Sequence, residues 1–466
     1  MPRDPADMPE YWIDHWEVEN PAFWKATGKS VATRNIIFSV FAEFLAFSIW
    51  QVWSATSVML PEIGFDFTAN ELFWLAAIPG LTGATLRIPY ALMVPVFGGR
   101  NWTLVSTALL LIPAIGIGLA VQDPATSYST FALLALLCGF GGGNFASSMA
   151  NINFFFPKRL KGAALGFNAA GGNIGVSIVQ FIIPFIITAG LFGALGGDPQ
   201  NVVVGAARQI WLQNAAYIWV PFIVISLVTT WFFMNSLRVA RSSLRAQFVM
   251  LKDKHAWIMS LLYMGTFGSF IGYSAGFPLL IRSQFPGVDP LRYAFLGPLV
   301  GSLIRPVGGL ISDRIGGARV TFWNFIAMAA AVCGVIYFLG VKAEPYAFAG
   351  FFAMFMILFV CAGLGNGSTY RMLPVIYITR NNYRAEKGEQ THLQAINNAN
   401  RQSGVVVGIT AAFAAYGAFF VPKSYGTSIR LTGGPQGALY VFMGFYLLCI
   451  ALTFYYYYRR NAEIHC

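Results

Sequence analysis

Two arginines stand inside apolar stretches of this chain, where a charged side chain is unusual. Arg87 lies in Leu-Arg-Ile-Pro-Tyr and Arg305 in Leu-Ile-Arg-Pro-Val, and a Gly-Gly pair follows each at the same distance along the chain, at 98–99 and 316–317. An arginine at the centre of a membrane-spanning helix costs about 2.5–3.5 kcal/mol on insertion scales, so two at equivalent positions need a shared role. We predict that the two side chains form a paired site for an anion.

The guanidinium group suits one kind of anion in particular. It stays protonated, and its planar fork of donors can hold a planar oxyanion through two parallel hydrogen bonds. The alternative is that each arginine pairs with a buried carboxylate for structural reasons. The only acidic residue well inside a predicted span is Glu43. The sequence therefore favours the anion site.

The composition indicates that membrane helices position these arginines. Of the 466 residues, 56% are hydrophobic and only 11% are charged, and the mean hydropathy is +0.60; a soluble domain has about 25% charged residues. The net charge of +11 would suggest nucleic acid binding in a soluble protein, but here the basic residues fall mostly in short loops. The five cysteines show neither a disulfide framework nor metal-ligand spacing, and the polar, acidic start shows no cleavable signal peptide.

Twelve apolar segments are each close to the roughly 20 residues that a bilayer core requires. The sequence predicts an all-α integral membrane protein whose spans lie near 35–60, 70–97, 102–121, 129–156, 162–190, 212–235, 256–281, 291–311, 320–340, 346–378, 399–421 and 436–458. No histidine lies within a predicted span, so a histidine proton relay is not expected.

Loop charges predict the orientation of these spans. One set of loops holds 21 of the 30 lysines and arginines and the other set holds 6, and the positive-inside rule places the richer set, with both termini, in the cytoplasm. The predicted divisions are a cytoplasmic segment 1–34, a six-helix bundle 35–235, a cytoplasmic connection 236–255, a second bundle 256–458 and a tail 459–466. In transporters built from repeats, the substrate site lies between such halves.

The loop after Arg305 carries a recognisable signature. Gly-Leu-Ile-Ser-Asp-Arg-Ile-Gly-Gly-Ala-Arg, at 309–319, resembles the loop motif of the major facilitator superfamily, in which Asp313 pairs with an arginine and Arg314 follows. The equivalent loop of the first half lacks the aspartate. We predict that Asp313 and Arg314 serve gating rather than substrate recognition. Arg371, in the tenth span, is expected to reach cytoplasmic water or a gate contact.

Asparagines are frequent in the fourth and fifth spans. Amides in lipid-spanning helices must find partners away from water, and for Asn144, Asn151 and Asn153 packing between helices is the simpler interpretation. Asn173 lies in Gly-Gly-Asn-Ile-Gly, where small neighbours let a ligand approach. We therefore expect Asn173 to contact substrate.

Several segments closely resemble the bacterial nitrate/nitrite porters. They are 20–24, 86–90, 139–177, 260–277 and 363–369, and the match covers nearly the whole chain. The resemblance implies a major facilitator fold of two pseudosymmetric six-helix bundles. It also implies a substrate site formed by Arg87, Arg305, Asn173, Tyr263, Phe145, Phe267 and Gly408. In the eleventh span, Ala411 stands where the family has a small polar serine.

The function expected from this resemblance is nitrate import coupled to nitrite export across a bacterial inner membrane, by a monomer without cofactor or metal. Two phenylalanine rings would cover the faces of the anion, and Tyr263 and Asn173 would donate hydrogen bonds at its edge. Two alternatives remain open. Glu43, otherwise a structural carboxylate, could carry a proton in a nitrate/proton symporter, or the protein could be a receptor that senses nitrate without moving it. No catalytic pattern and no nucleotide-binding loop supports an enzyme.

Overall fold

The computed structural model describes residues 11–203, 208–240, 252–464 and 466. Within this part of the chain, twelve helices are long and apolar enough to cross a membrane, and we number them in chain order. They are α1 (Pro21–Ile63), α2 (Ala69–Phe97), α3 (Gly99–Ala120), α4 (Tyr128–Phe155), α5 (Lys158–Ile186), α6 (Asn214–Phe233), α7 (Lys254–Gln284), α8 (Pro290–Ile315), α9 (Gly317–Gly340), α10 (Ala347–Glu386), α11 (His392–Thr432) and α12 (Gln436–Tyr458). The prediction of an all-α membrane fold with twelve spans is confirmed.

Four two-residue strands lie outside the helices. β1 (Trp12–Ile13) pairs in parallel with β4 (Ser236–Leu237), and β2 (Gln200–Asn201) pairs with β3 (Gln209–Ile210) in the antiparallel sense. The β1–β4 pair joins the segment before α1 to the segment after α6. Most of the predicted connection between the bundles, residues 241–251, and the first ten residues of the predicted segment 1–34 lie outside the described residues.

Helix ends differ most from prediction where a helix continues past its apolar part. The helix α1 begins at Pro21 rather than at 35, because the side chain of Asn20 accepts hydrogen bonds from the N–H groups of Ala22 and Phe23, a common helix start. At the start of α11, Thr391 and Gln394 form a capping box. The helix α7 starts at Lys254, so a histidine, His255, lies in its first turn, contrary to the sequence-based boundary.

Two helices of the second half are irregular near mid-membrane. A π-turn over Met264–Gly268 interrupts α7, and α11 breaks between Ala415 and Gly417. The two irregular points touch, since a Cβ atom added to Gly417 would lie 2.3 Å from the carbonyl oxygen of Gly268. Such π-turns occur often at functional sites, and this one sets the positions of Tyr263 and Phe267.

The two halves, α1–α6 and α7–α12, touch on the side of the membrane away from the termini. There Glu62 forms an ion pair of 2.8 Å with Arg282, and the amide of Gln180 donates to the carbonyl of Ser274 at 2.7 Å. On the side of the termini, Gly408 is exposed, and a Cβ atom added there would meet nothing within 4 Å. The molecule is thus closed on the side remote from its termini.

Candidate anion site

Arg87 connects the two halves of the molecule. Its side chain is 1% exposed; Nε donates to the carbonyl of Gly142 on α4 at 3.1 Å, and Nη1 donates to the carbonyl of Ala411 on α11 at 2.7 Å. The neighbouring glycine contact makes this reach possible, because a Cβ atom on Gly83 would lie 2.5 Å from the indole nitrogen of Trp50. Helix α2 therefore lies close enough to α1 and α4 to place a guanidinium group between the halves.

Aromatic rings surround the Arg87 guanidinium group. Its Cζ atom lies 4.6 Å from the ring centre of Phe145, 5.2 Å from that of Phe267 and 5.5 Å from that of Trp50. The rings of Phe145 and Phe267 come from opposite halves and stack at 6.2 Å with planes 24° apart. Ring faces attract a cation, so the three rings stabilise the positive charge of Arg87 in a region that is mostly apolar.

Arg305 lies at the other end of the same row of rings. It is 6% exposed, its Nη2 donates to the hydroxyl of Tyr263 at 3.5 Å, and its Cζ lies 5.6 Å from the ring centre of Tyr370. The ring of Tyr263 stacks on Phe267 at 5.5 Å with planes 16° apart. Phe267 and Tyr263 therefore lie between Arg87 and Arg305, and we call the region that these four residues border the chamber.

Each arginine keeps one buried nitrogen without a protein partner. These atoms are Nη2 of Arg87 and Nη1 of Arg305. Among the described residues, neither arginine forms an ion pair with a carboxylate, so the structural pairing considered from the sequence is wrong. A buried charged donor without a partner carries the full cost of its desolvation. Each half of the molecule therefore contributes one buried cationic donor that no described protein group occupies.

Among the asparagines with buried side-chain atoms that lack a partner, three are considered for the site. Both amide atoms of Asn173 and of Asn144, and the amide oxygen of Asn366, are buried without a partner. Asn173 thus has both a donor and an acceptor that no described protein group uses, and its contact with substrate stays a prediction. For Asn144, the structure gives no hydrogen bond to a neighbouring helix, although packing between helices was the simpler interpretation.

Sequence reasoning missed several groups at this site. Trp50 and Tyr370 touch the two arginines, but nothing in their local sequence separates them from ordinary core aromatics. The carbonyls of Gly142 and Ala411 carry no side-chain signal at all. Only the position of Tyr370, directly after the glycine-rich run 363–369, could have drawn attention to it.

Glu43 lies in a small polar pocket beside the chamber. Its Oε2 accepts from the amide of Asn168 at 2.6 Å, and the same amide nitrogen donates to the hydroxyl of Ser148 at 2.6 Å. Its Oε1 is buried without a partner. An adjoining cavity of about 10 Å³ is lined by Ser39, Ala42, Glu43, Thr103, Ser106, Asn144, Ser147 and Ser148. This volume corresponds to about one water molecule.

The residues predicted for gating and Gly408 lie on the side of the termini. Asp313 forms an ion pair with Arg371, which joins α8 to α10, and both side chains are about half exposed. Arg314 is exposed. Gly408 faces open space, whereas the carbonyl of Ala411, on the same helix, reaches Arg87. Helix α11 thus contributes backbone to the chamber.

Comparisons with known proteins agree with this architecture. The profile of the Major Facilitator Superfamily matches residues 37–409. The Nitrate/nitrite transporter NarU of Salmonella typhimurium is 47% identical over 466 residues, covering 99% of this chain and 100% of the relative. The Probable nitrate/nitrite antiporter NarK2 of Thermus thermophilus is 43% identical and covers 98% of each chain. A crystal structure of the nucleoside transporter NupG, 13% identical, superimposes with a TM-score of 0.58 over 90% of this chain and 98% of that one.

Proposed function

The chain belongs to the major facilitator superfamily, among the nitrate/nitrite porters, and we propose that it exchanges nitrate for nitrite across a bacterial inner membrane, with both termini in the cytoplasm. One observation supports this most. Two arginines from opposite halves, Arg87 and Arg305, each leave one buried nitrogen without a partner beside the same stacked rings. The proposed transporter is a monomer that binds the anion between these two groups.

The chamber suits a small planar monoanion. Nitrate and nitrite are flat and delocalised, so their edges accept hydrogen bonds while their faces lie against rings. In this proposal, the guanidinium forks bind the edge, Phe145 and Phe267 cover the faces, and Tyr263 and Asn173 donate further hydrogen bonds. The Tyr263 hydroxyl already accepts from Arg305, so its own proton is free to donate.

The same charges would couple transport to exchange. Guanidinium groups stay charged in proteins, and two positive charges in one buried chamber repel each other. Moving the halves together around the chamber without an anion would be costly, whereas a bound anion lowers that cost. The loaded carrier then changes between its two open states and the unloaded carrier does not. Asp313 and Arg314 would control opening on the side of the termini, in a rocking motion of the two halves.

We expect nitrate uptake to depend on an anion on the opposite side of the membrane. In proteoliposomes, labelled nitrate should enter at least about tenfold faster with nitrite or nitrate inside than without, because about 1.4 kcal/mol of difference in barrier gives a factor of ten. The measurement is initial uptake at equal pH on both sides, with protein-free liposomes as the control. Equal rates with and without internal anion would contradict obligatory exchange.

Glu43 supports a second candidate, nitrate/proton symport. Its Oε1 is buried without a partner, and among the described residues the carboxylate forms no ion pair. A carboxyl group in this situation can bind and release a proton during a transport cycle.

Symport predicts nitrate uptake into anion-free liposomes when the outside is more acidic than the inside. This uptake should be lost in Glu43→Gln, which keeps the shape of the side chain and one oxygen for Asn168. If the protein is an exchanger, Glu43→Gln should leave nitrate/nitrite counterflow within about threefold of wild type. The reason is that the net free energy of a hydrogen bond between neutral groups, such as the one to Asn168, is only about 0.5–1 kcal/mol. Abolished counterflow together with abolished acid-driven uptake would favour the symporter.

A further inference from the structure

The first part of α1 carries a groove on its outer surface. Its volume is about 500 Å³, and it is lined by Lys25, Lys29, Ser30, Thr33, Arg34, Ile37 and Phe38. These residues form two rows along the helix, one at 25, 29, 33 and 37 and one at 30, 34 and 38. Residues four apart share a helix face, so the groove is one continuous strip, which we call the basic groove.

The polarity of the basic groove changes in order along the helix. The lysines come first, the hydroxyl groups of Ser30 and Thr33 and the guanidinium group of Arg34 follow, and Ile37 and Phe38 lie deepest in the span. Ile37 is 53% exposed. This is the order of a phospholipid, from charged headgroup through polar ester groups to hydrocarbon.

Two residues at and just beyond the end of α6, Phe233 and Asn235, contact residues that line the groove. The ring of Phe38 stacks on that of Phe233 at 5.2 Å with planes 12° apart, and Nη2 of Arg34 donates to the side chain of Asn235 at 2.8 Å. Phe233 is half exposed. The contact with Asn235 therefore holds the side chain of Arg34, and among the described residues this guanidinium group forms no ion pair.

The three cations of the basic groove are not neutralised by nearby carboxylates. Among residues 11–203, 208–240 and 252–464, none of the three forms an ion pair. Basic pockets at the membrane surface attract anionic headgroups, and arginine binds a phosphate through two hydrogen bonds. We propose that the basic groove binds one anionic phospholipid, with its phosphate at Lys25, Lys29 and Arg34 and its acyl chains along Ile37 and Phe38.

The test is native mass spectrometry of the detergent-purified full-length protein titrated with phosphatidylglycerol or with zwitterionic phosphatidylcholine. We expect preferential binding of phosphatidylglycerol. The variant Lys25→Gln/Lys29→Gln/Arg34→Gln should lose at least about tenfold in affinity, because each cation near a membrane surface contributes substantially to the attraction of anionic lipid. A control with the same charge change, Lys158→Gln/Arg159→Gln/Arg460→Gln, should bind phosphatidylglycerol as wild type does.

Two further measurements separate a lipid from a free anion. Ile37→Asn, at a position where the side chain is 53% exposed, should weaken phosphatidylglycerol binding severalfold, and inorganic phosphate at the lipid concentration should not displace the lipid. Equal binding of the two lipids, equal loss in both triple variants, displacement by phosphate, or unchanged binding in Ile37→Asn would each overturn the proposal. If Arg34→Gln impairs folding through its contact with Asn235, the double variant Lys25→Gln/Lys29→Gln gives the same test.

Discussion

Replacing Arg305 with lysine should lower nitrate/nitrite exchange at least about 100-fold, although the charge is kept. A hydrogen bond to a charged group contributes about 1.5–3 kcal/mol, and an ammonium group cannot reproduce the planar pair of donors. The same result is expected for Arg87→Lys, which would also lose the bond to Gly142. The measurement is labelled-nitrate counterflow in proteoliposomes with equal amounts of folded protein.

Arg100 provides a matched control for this prediction. It is another buried arginine, whose Nη2 donates to the carbonyl of Trp231 at 2.6 Å and whose Cζ lies 3.9 Å from the ring centre of Tyr11, but it lies outside the chamber. Arg100→Lys should lower thermal stability and leave the exchange rate per folded molecule close to wild type. Exchange by Arg305→Lys at a rate near that of wild type would show that the fork geometry is not needed, and the proposal that the two arginines bind the anion would be wrong.

Gly80→Val should stop exchange by preventing closure on the side away from the termini. A Cβ atom on Gly80 would lie 2.4 Å from the carbonyl carbon of Ala418, and this is backbone of the opposite half, which cannot move aside as a flexible side chain could. We expect counterflow to fall at least about 100-fold, because small residues are needed where membrane helices pack backbone to backbone.

Gly80→Val should hold the protein open on the side away from the termini, and thiol labelling can identify this conformation. The hydroxyl of Ser177 donates to the carbonyl of Phe295 between the two halves on that side at 3.0 Å, so Ser177→Cys should be labelled from that side faster and more completely when Gly80→Val is also present. Gly444→Val is the control, since a Cβ atom there would meet nothing within 4 Å and the glycine-to-valine change in a helix is the same. Normal exchange by Gly80→Val, or loss of exchange in both variants, would contradict the closure role of Gly80.

The arginine pair was predictable because charge is rare in apolar segments. The matching Gly-Gly pairs after Arg87 and Arg305 marked equivalent positions in two halves, and the prediction of twelve spans followed from hydropathy alone. Their chamber was also predictable in part, since the family resemblance named Phe145 and Phe267, and these rings do stack.

What the sequence could not predict depends on backbone and on three-dimensional packing. The carbonyl of Ala411 accepts from Arg87 one turn before the break of α11 between Ala415 and Gly417, and no side chain records that position. The helical turns before residue 35 escaped detection because they carry polar residues, so hydropathy is low where a capped helix nevertheless continues. Gly408 lies in the predicted span, yet its surroundings are set by how far the two halves are separated.

The hydrogen bond from Arg87 to Ala411 has a consequence for the order of events. In the proposed mechanism, the guanidinium group of Arg87 both joins the halves, through Nη1 and the carbonyl of Ala411, and binds the anion, so one side chain would serve both interactions. An anion that attracts the guanidinium group of Arg87 would weaken its hydrogen bond to Ala411 as the anion binds. Binding of the anion and weakening of the contact between the halves would then be one event. No other group would be needed to couple substrate binding to the conformational change.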